Sequence, residues 1–152
     1  MENTTKKVEH NTFFWVSVIF FILFYPMLIS IYVFLPLFIG AGSYILIRGL
    51  EKNSLVTVFM AIIYLVNLEV NLSLPLFLTL ISSFLFYVMI YHSLLHFRKC
   101  KICKPLLSVI ILDLMYLGAL FSFDFIFQTQ SIFLDSILLY SLVVDMLVVV
   151  LL

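Results

Sequence analysis

The sequence predicts an all-α integral membrane protein: six transmembrane helices in three hairpins, with both termini cytoplasmic. Three observations predict it. Apolar residues make up 65% of the 152-residue chain and charged residues only 11%, with a mean hydropathy of +1.28. Soluble domains carry about 25% charged residues, and a chain this short cannot hide so much apolar surface from water. The eight basic residues fall into three clusters: Lys6 and Lys7; Arg48 and Lys52; and Arg98, Lys99, Lys101 and Lys104. The apolar stretches between and after the clusters run roughly 35 to 45 residues, enough for two bilayer crossings each.

All three clusters share one side only if an even number of helices separates them, and the positive-inside rule makes that side the cytoplasm. The spans then run approximately 13–30, 32–48, 54–69, 73–97, 105–127 and 131–151. Residues 1–12 form a cytoplasmic tail and 13–152 a single polytopic domain. The first apolar run follows basic residues as a signal sequence does. It lacks a small-x-small cleavage site and reads as an uncleaved span.

The outer turns fall near Ser30, at "NLEVN" (67–71) and at "QTQS" (128–131), none of which holds Lys or Arg. Pro26 and Pro36 can bend the first stretch. Asn53 and Ser54 suit the N-cap of the third helix, and Ser73 before Pro75 that of the fourth. Pro105 suits the first turn of the fifth. Trp15, Tyr25, Tyr32 and Tyr91 are placed to sit near the interfaces. No internal repeat, linker or soluble domain stands out.

"HSLLHFRKCKICKP" (92–105) is the most chemical-looking stretch, with His92, His96, Cys100 and Cys103 inside twelve residues. Zinc takes such ligands, but on a continuous helix they lie along one stripe rather than around an ion. The plainer expectation is reduced thiols and no metal, with Arg98, Lys99, Lys101 and Lys104 holding the loop in the cytoplasm. That basic loop also suits anionic lipid or an acidic partner.

Asp113, Asp124, Asp135 and Asp145 all fall in the last hairpin. Folding it about "QTQS" sets Asp124 opposite Asp135 near the outer end, where both reach interfacial water. Asn67 and Glu69 belong to another outer turn. The same fold sets Asp113 at the depth of Asp145, where two like charges do not easily both ionise, with His92 a possible neighbour. Intramembrane carboxyls usually face a bundle interior or water, so Asp113 and Asp145 are candidates for a proton path or a partner contact. Gly40 and Gly42 in "GAGS", and Gly118, are candidate points of close helix packing.

Much is excluded. A net charge of zero gives no bulk electrostatic case for nucleic acid. No Walker loop, H-E-x-x-H, G-x-S-x-G or Rossmann fingerprint is present, so neither an enzyme nor a cofactor is expected.

"LPLFIGAGSYILIRGL" (35–50) has a proline leading into an apolar helix that ends in a basic residue and glycine, at Pro36, Arg48 and Gly49. "MAIIYLVNLEVNLSLPLFLTL" (60–80) has an apolar helix, a polar turn and a small-polar stretch before the next helix. In this order the chain resembles the MreD family of rod-shape-determining membrane proteins. It departs from that family at Asn67, which stands in an acidic position, and in lacking the family's turn glycines. The resemblance implies a non-catalytic subunit of the bacterial inner membrane that serves cell shape and peptidoglycan synthesis. Partners would be MreC, MreB and the elongation transglycosylase and transpeptidase, besides membrane lipids. The alternative is the substrate-binding membrane component of a vitamin-type transporter, expected to line a pocket with Asp113, Asp145, His92 and Tyr116.

Overall fold

The structure, a computed structural model, describes residues 2–32, 35–94, 103–128 and 137–151. These residues are all-helical, in the order α1 (Glu2–Ile31), α2 (Ile39–Glu51), α3 (Leu55–Asn71), α4 (Leu78–Met89), α5 (Tyr91–Leu94), α6 (Cys103–Phe127) and α7 (Ile137–Leu151). Among the described residues α6, 25 residues long, is the one helix long and apolar enough to cross a membrane. The apolar lengths Trp15–Ile31, Leu55–Asn71, Leu78–Met89 and Tyr140–Leu151 are shorter.

Several expected boundaries move. The stretch expected as a tail is helical from Glu2, while α1 ends at Ile31, beside the turn expected near Ser30. The second helix starts at Ile39 rather than 32, and the fourth at Leu78 rather than 73. "NLEVN" is not a turn: α3 continues through Asn71, and the chain turns over 72–77 instead. Ser54 does occupy the N-cap of α3, although its hydroxyl meets Thr57 Oγ1 at 2.9 Å rather than a backbone N–H. Ser73 does not cap α4; Phe77 holds that position.

The two late starts share a cause, and it is a repeat that reading the sequence alone passed over. "LPLF" occurs at 35–38 and again at 74–77, each time directly before a short helix. Proline removes a donor and biases the residue before it away from helix. In both copies the phenylalanine turns left-handed, with φ 50° at Phe38 and 65° at Phe77. A non-glycine residue there costs about 1–2 kcal/mol, so neighbouring groups must hold the turn in place. α2 and α4 have 13 and 12 residues, or roughly 20 and 18 Å at 1.5 Å per residue.

α2 is the central helix, packed against α3, α4, α6 and α7. Eight of its residues are buried, among them Ile39, Ser43, Leu46 and Ile47, as expected of a helix covered on nearly all sides. Its small residues allow this. A Cβ on Gly42 would stand 3.0 Å from Leu65 Cδ2, and one on Gly49 would stand 2.9 Å from Val58 Cγ2 and 3.1 Å from Val58 N. Gly49 is a packing point the sequence reading missed. Gly118 is the opposite case: among the described residues nothing lies within 4 Å of a Cβ built there, so it packs against no described helix of this chain. Gly49→Ala is expected to lower stability by about 1–3 kcal/mol through overpacking. Gly118→Ala should raise it by up to about 1 kcal/mol through helix propensity. Denaturant unfolding of the two variants in one detergent measures the contrast.

α1 packs on α3 but stands away from α2. Pro26 lies inside α1 and lacks the N–H that would bond the carbonyl four residues back, that of Ile22. Asn67 of α3 makes good the loss: its Nδ2 donates to Ile22 O at 3.2 Å and to Leu23 O at 3.1 Å. Asn71 orients it by donating to Asn67 Oδ1 at 2.8 Å. Asn67 is therefore a helix-to-helix donor rather than a turn residue, and an aspartate, which is acceptor-only when ionised, fails there. Asn67→Asp is expected to cost about 1–3 kcal/mol. In a double-mutant cycle with Pro26→Ala, which restores the missing donor, the coupling should be about 0.5 kcal/mol or more.

Candidate functional site

The candidate site is the start of α2, where two carboxyls and three hydroxyls from four other helices converge on unwound backbone. The first N–H groups of a helix have no partner inside it, and burial here removes water. Asp145 of α7, fully buried, accepts from Gly40 N at 2.8 Å and Ala41 N at 3.4 Å through one oxygen, Oδ2. One turn earlier on α7, Ser141 Oγ accepts from Leu37 N at 3.1 Å. The carbonyls of the same segment are also held. Tyr25 of α1 donates to Pro36 O at 2.9 Å, and Tyr64 of α3 to Leu37 O at 3.0 Å. α2 thus has no side-chain cap of its own; it is capped from across the bundle.

Asp113 of α6 meets the same glycine from another side. A Cβ on Gly40 would fall 2.5 Å from Asp113 Oδ1 and 2.7 Å from Oδ2, so only glycine leaves room for that carboxyl. Among the described groups, Asp113 Oδ2 and Asp145 Oδ1 have no hydrogen-bond partner. The expected pairing of Asp113 with Asp145 in depth is therefore a shared contact at Gly40.

The second copy of the repeat is built alike. Glu69 of α3, fully buried, accepts from Phe77 N through Oε2 and from Thr79 N through Oε1, both at 2.7 Å. Thr79 Oγ1 also donates to Oε1. Thr79 stands in its repeat where Gly40 stands in the first, so the same backbone position is bound by a buried carboxyl in both. Glu69 was expected at an outer turn; it is instead the interior cap of α4. That role shows in the sequence only once the second "LPLF" is recognised as a helix start.

The remaining candidates disperse. His92 is exposed on α5 and does not join Asp113. Its neighbour Tyr91 turns inward instead, against Phe86, Ile47 and Leu112. Asp124 is partly buried near the end of α6. Asp135, His96, Cys100, Arg98, Lys99 and Lys101 lie outside the described residues, and with them most of the expected basic loop and half of the His/Cys cluster. Cys103 is exposed at the start of α6. Among the described residues no group of three or more His, Cys, Asp or Glu could hold a metal.

Lys104 is described, and it ties the start of α6 to the end of α2 and to α5. It pairs with Glu51 at 3.4 Å, donates to Tyr91 Oη at 3.1 Å and lies 5.0 Å from the Tyr91 ring centre. Tyr91 and then Lys104 hold the Glu51 carboxyl below its ordinary value of 4.5. The stability this adds is present above the unfolded value and is lost as pH falls through the folded one. Glu51 is 45% exposed, so the contribution is well under about 1 kcal/mol.

A cavity of about 450 Å³ opens where α1 stands off from α2, lined among others by Trp15, Phe21, Phe38, Ala41, Gly42 and Ala61. Small residues on the α2 and α3 walls leave the space that aromatic rings from α1 do not fill. None of Asp113, Asp145, His92 or Tyr116 lines it.

No protein-family model, characterised protein or solved structure matches this chain. The likeness to MreD proteins therefore rests on the order of features in the sequence.

Proposed function

We propose that this chain is a non-catalytic, multi-pass subunit of the bacterial inner membrane, MreD-like, which serves the cell-elongation machinery as a scaffold for partner membrane proteins. The observation that carries the reading is the use made of buried polar groups. Glu69, Asp145, Ser141, Asn67, Tyr25 and Tyr64 each bond backbone at a helix start or a proline break. Their chemistry maintains shape and leaves little to act on a substrate. Backbone in lipid must be bonded internally, and these contacts supply that bonding where helices are interrupted.

In this reading six segments cross the bilayer, with α4 and α5 together making the fourth and both termini cytoplasmic. The unwound stretches before α2 and α4 complete spans that the helices alone are too short to make. Large apolar side chains on the outside, such as Leu55, Phe125 and Leu151 at 83–88% exposure, suit lipid or a partner helix. Asp113 and Asp145 are buried, so the expectation that they meet a partner at the surface is not met, and neither belongs to the partner-facing surface in this reading. The transporter alternative expected those two carboxyls in a pocket; the cavity described between α1, α2 and α3 is lined by other residues.

Affinity purification from native membranes in mild detergent tests the role. Recovery of MreC, MreB or the elongation transglycosylase and transpeptidase is the expected result; recovery of an ATPase pair moves the assignment to transport. Topology is tested separately. Alkaline phosphatase fused after Gln128 should be active, and fused after Leu152 inactive.

A further inference from the structure

We propose that the cavity between α1, α2 and α3 holds one acyl chain of an anionic phospholipid from the cytoplasmic leaflet, with Arg48 and Lys52 binding its phosphate. The inference rests on the membrane-spanning reading above but not on the scaffold role.

The cavity itself is lined almost wholly by apolar groups, and the nearest cations along α2 lie beyond one of its ends. Along α2 its wall runs through Phe38, Ala41 and Ile45. Residues three, four and seven apart share a helix face, so that stripe continues through Arg48, three residues beyond Ile45, to Lys52 at the C-cap. On α3 the wall starts at Thr57 and reaches Tyr64, roughly 10 Å along the helix axis. Gly49 packs on Thr57 and Val58, and Gly42 on Tyr64 and Leu65. The Thr57 end is therefore the basic, cytoplasmic end. The deep end offers no free polar group, because the Tyr64 hydroxyl is committed to Leu37 O at 3.0 Å.

The cations at the mouth share it with one carboxylate, Glu51, which feels Arg48 but is paired with Lys104. Among the described residues the one ion pair is Lys104–Glu51; neither Arg48 nor Lys52 makes one. Arg48 is half-buried and Lys52 exposed, so one cation stands inside the rim and one outside it. An apolar slot ending at two cations is complementary to a chain ending in a phosphate. A cavity of about 450 Å³ also lies in the range of roughly 300–1,000 Å³ usual for bound small molecules.

Trp15 lines the cavity and is the only tryptophan in the chain, so its fluorescence reports on the occupant. The protein is reconstituted in phosphatidylcholine vesicles, and either bromoacyl phosphatidylglycerol or bromoacyl phosphatidylcholine is titrated in. The expected result is quenching that saturates at a roughly five- to thirty-fold lower mole fraction of the phosphatidylglycerol, the preference that two cations near the headgroup supply. Arg48→Gln with Lys52→Gln should bring the two lipids together. Ala61→Phe, which fills the slot, should abolish the saturating phase for both. Should Ala61→Phe fail to fold, Met60→Phe on the same wall takes its place. Equal quenching of the native protein by both lipids overturns the proposal, as does a preference that survives filling of the slot. Failure of the chain to reconstitute across the bilayer would instead overturn the topology.

Discussion

Glu69→Ala is expected to be among the most damaging single substitutions in the chain, lowering stability by about 3–5 kcal/mol. The carboxyl accepts from two backbone donors, Phe77 N and Thr79 N, and from the Thr79 hydroxyl, and it is fully shielded from solvent. Truncation leaves those donors without partners, at about 1–3 kcal/mol for each buried group. The Phe77 turn also loses what holds it left-handed. Glu69→Gln should be intermediate, about 1–3 kcal/mol, because one of its two ends becomes a donor facing a donor. Thr79→Val removes only the hydroxyl contact and should cost about 1 kcal/mol. Unfolding in SDS–detergent mixtures, followed by circular dichroism, ranks the three. If Glu69→Ala and Thr79→Val prove equal, Glu69 does not cap α4.

How much of this was legible in the sequence depends on the scale of the signal. The helical class followed from composition, and the positions of α3 and α6 from long apolar runs with clear ends. The start of α2 was misplaced because apolar residues continue unbroken through "YVFLPLFIG", and that of α4 because Ser73 before Pro75 has the form of an N-cap while Phe77 holds the position. Hydropathy registers burial in an apolar layer, not whether the backbone there is helical. Proline was the local sign of a break, and two prolines in one four-residue context were a stronger sign. What no local pattern carries is the partner of each break. Asp145 reaches Gly40 across 105 residues of chain, and Asn67 reaches Ile22 across 45.

The polar residues divide the same way. Glu69 and Asn67 look like turn residues because they stand beside a polar stretch, yet both point into helix junctions. His92 looks like a buried partner because it ends an apolar run, yet Tyr91 takes the inward position. On a helix a shift of one residue turns a side chain by about 100°, and near a helix end periodicity does not fix which of two neighbours faces inward.

Asp113 and Asp145 look equivalent in sequence, each an acidic residue deep in an apolar helix, but their substitutions should differ sharply. Asp145→Leu removes the acceptor for Gly40 N and Ala41 N and should cost about 2–4 kcal/mol, since both donors are left buried and unbonded. Asp145→Asn should cost less than about 1 kcal/mol. Both present bonds go to a single oxygen, Oδ2, which the amide carbonyl can replace, while the amide NH₂ takes the place of Oδ1, now without a partner. Asp113 has an oxygen without a partner as well, and it meets the start of α2 only at Gly40, whose N–H Asp145 already holds. Asp113→Asn should therefore leave stability within about 0.5 kcal/mol, and Asp113→Leu, which also removes an unsatisfied polar group, should be neutral or stabilising. The four variants, unfolded under one set of conditions and tested for partner recovery, separate shape from function. Loss of partners in Asp113→Leu with stability intact would make the carboxyl at 113 functional in its own right. Equal destabilisation by Asp113→Leu and Asp145→Leu would show that the two act as one structural unit around Gly40.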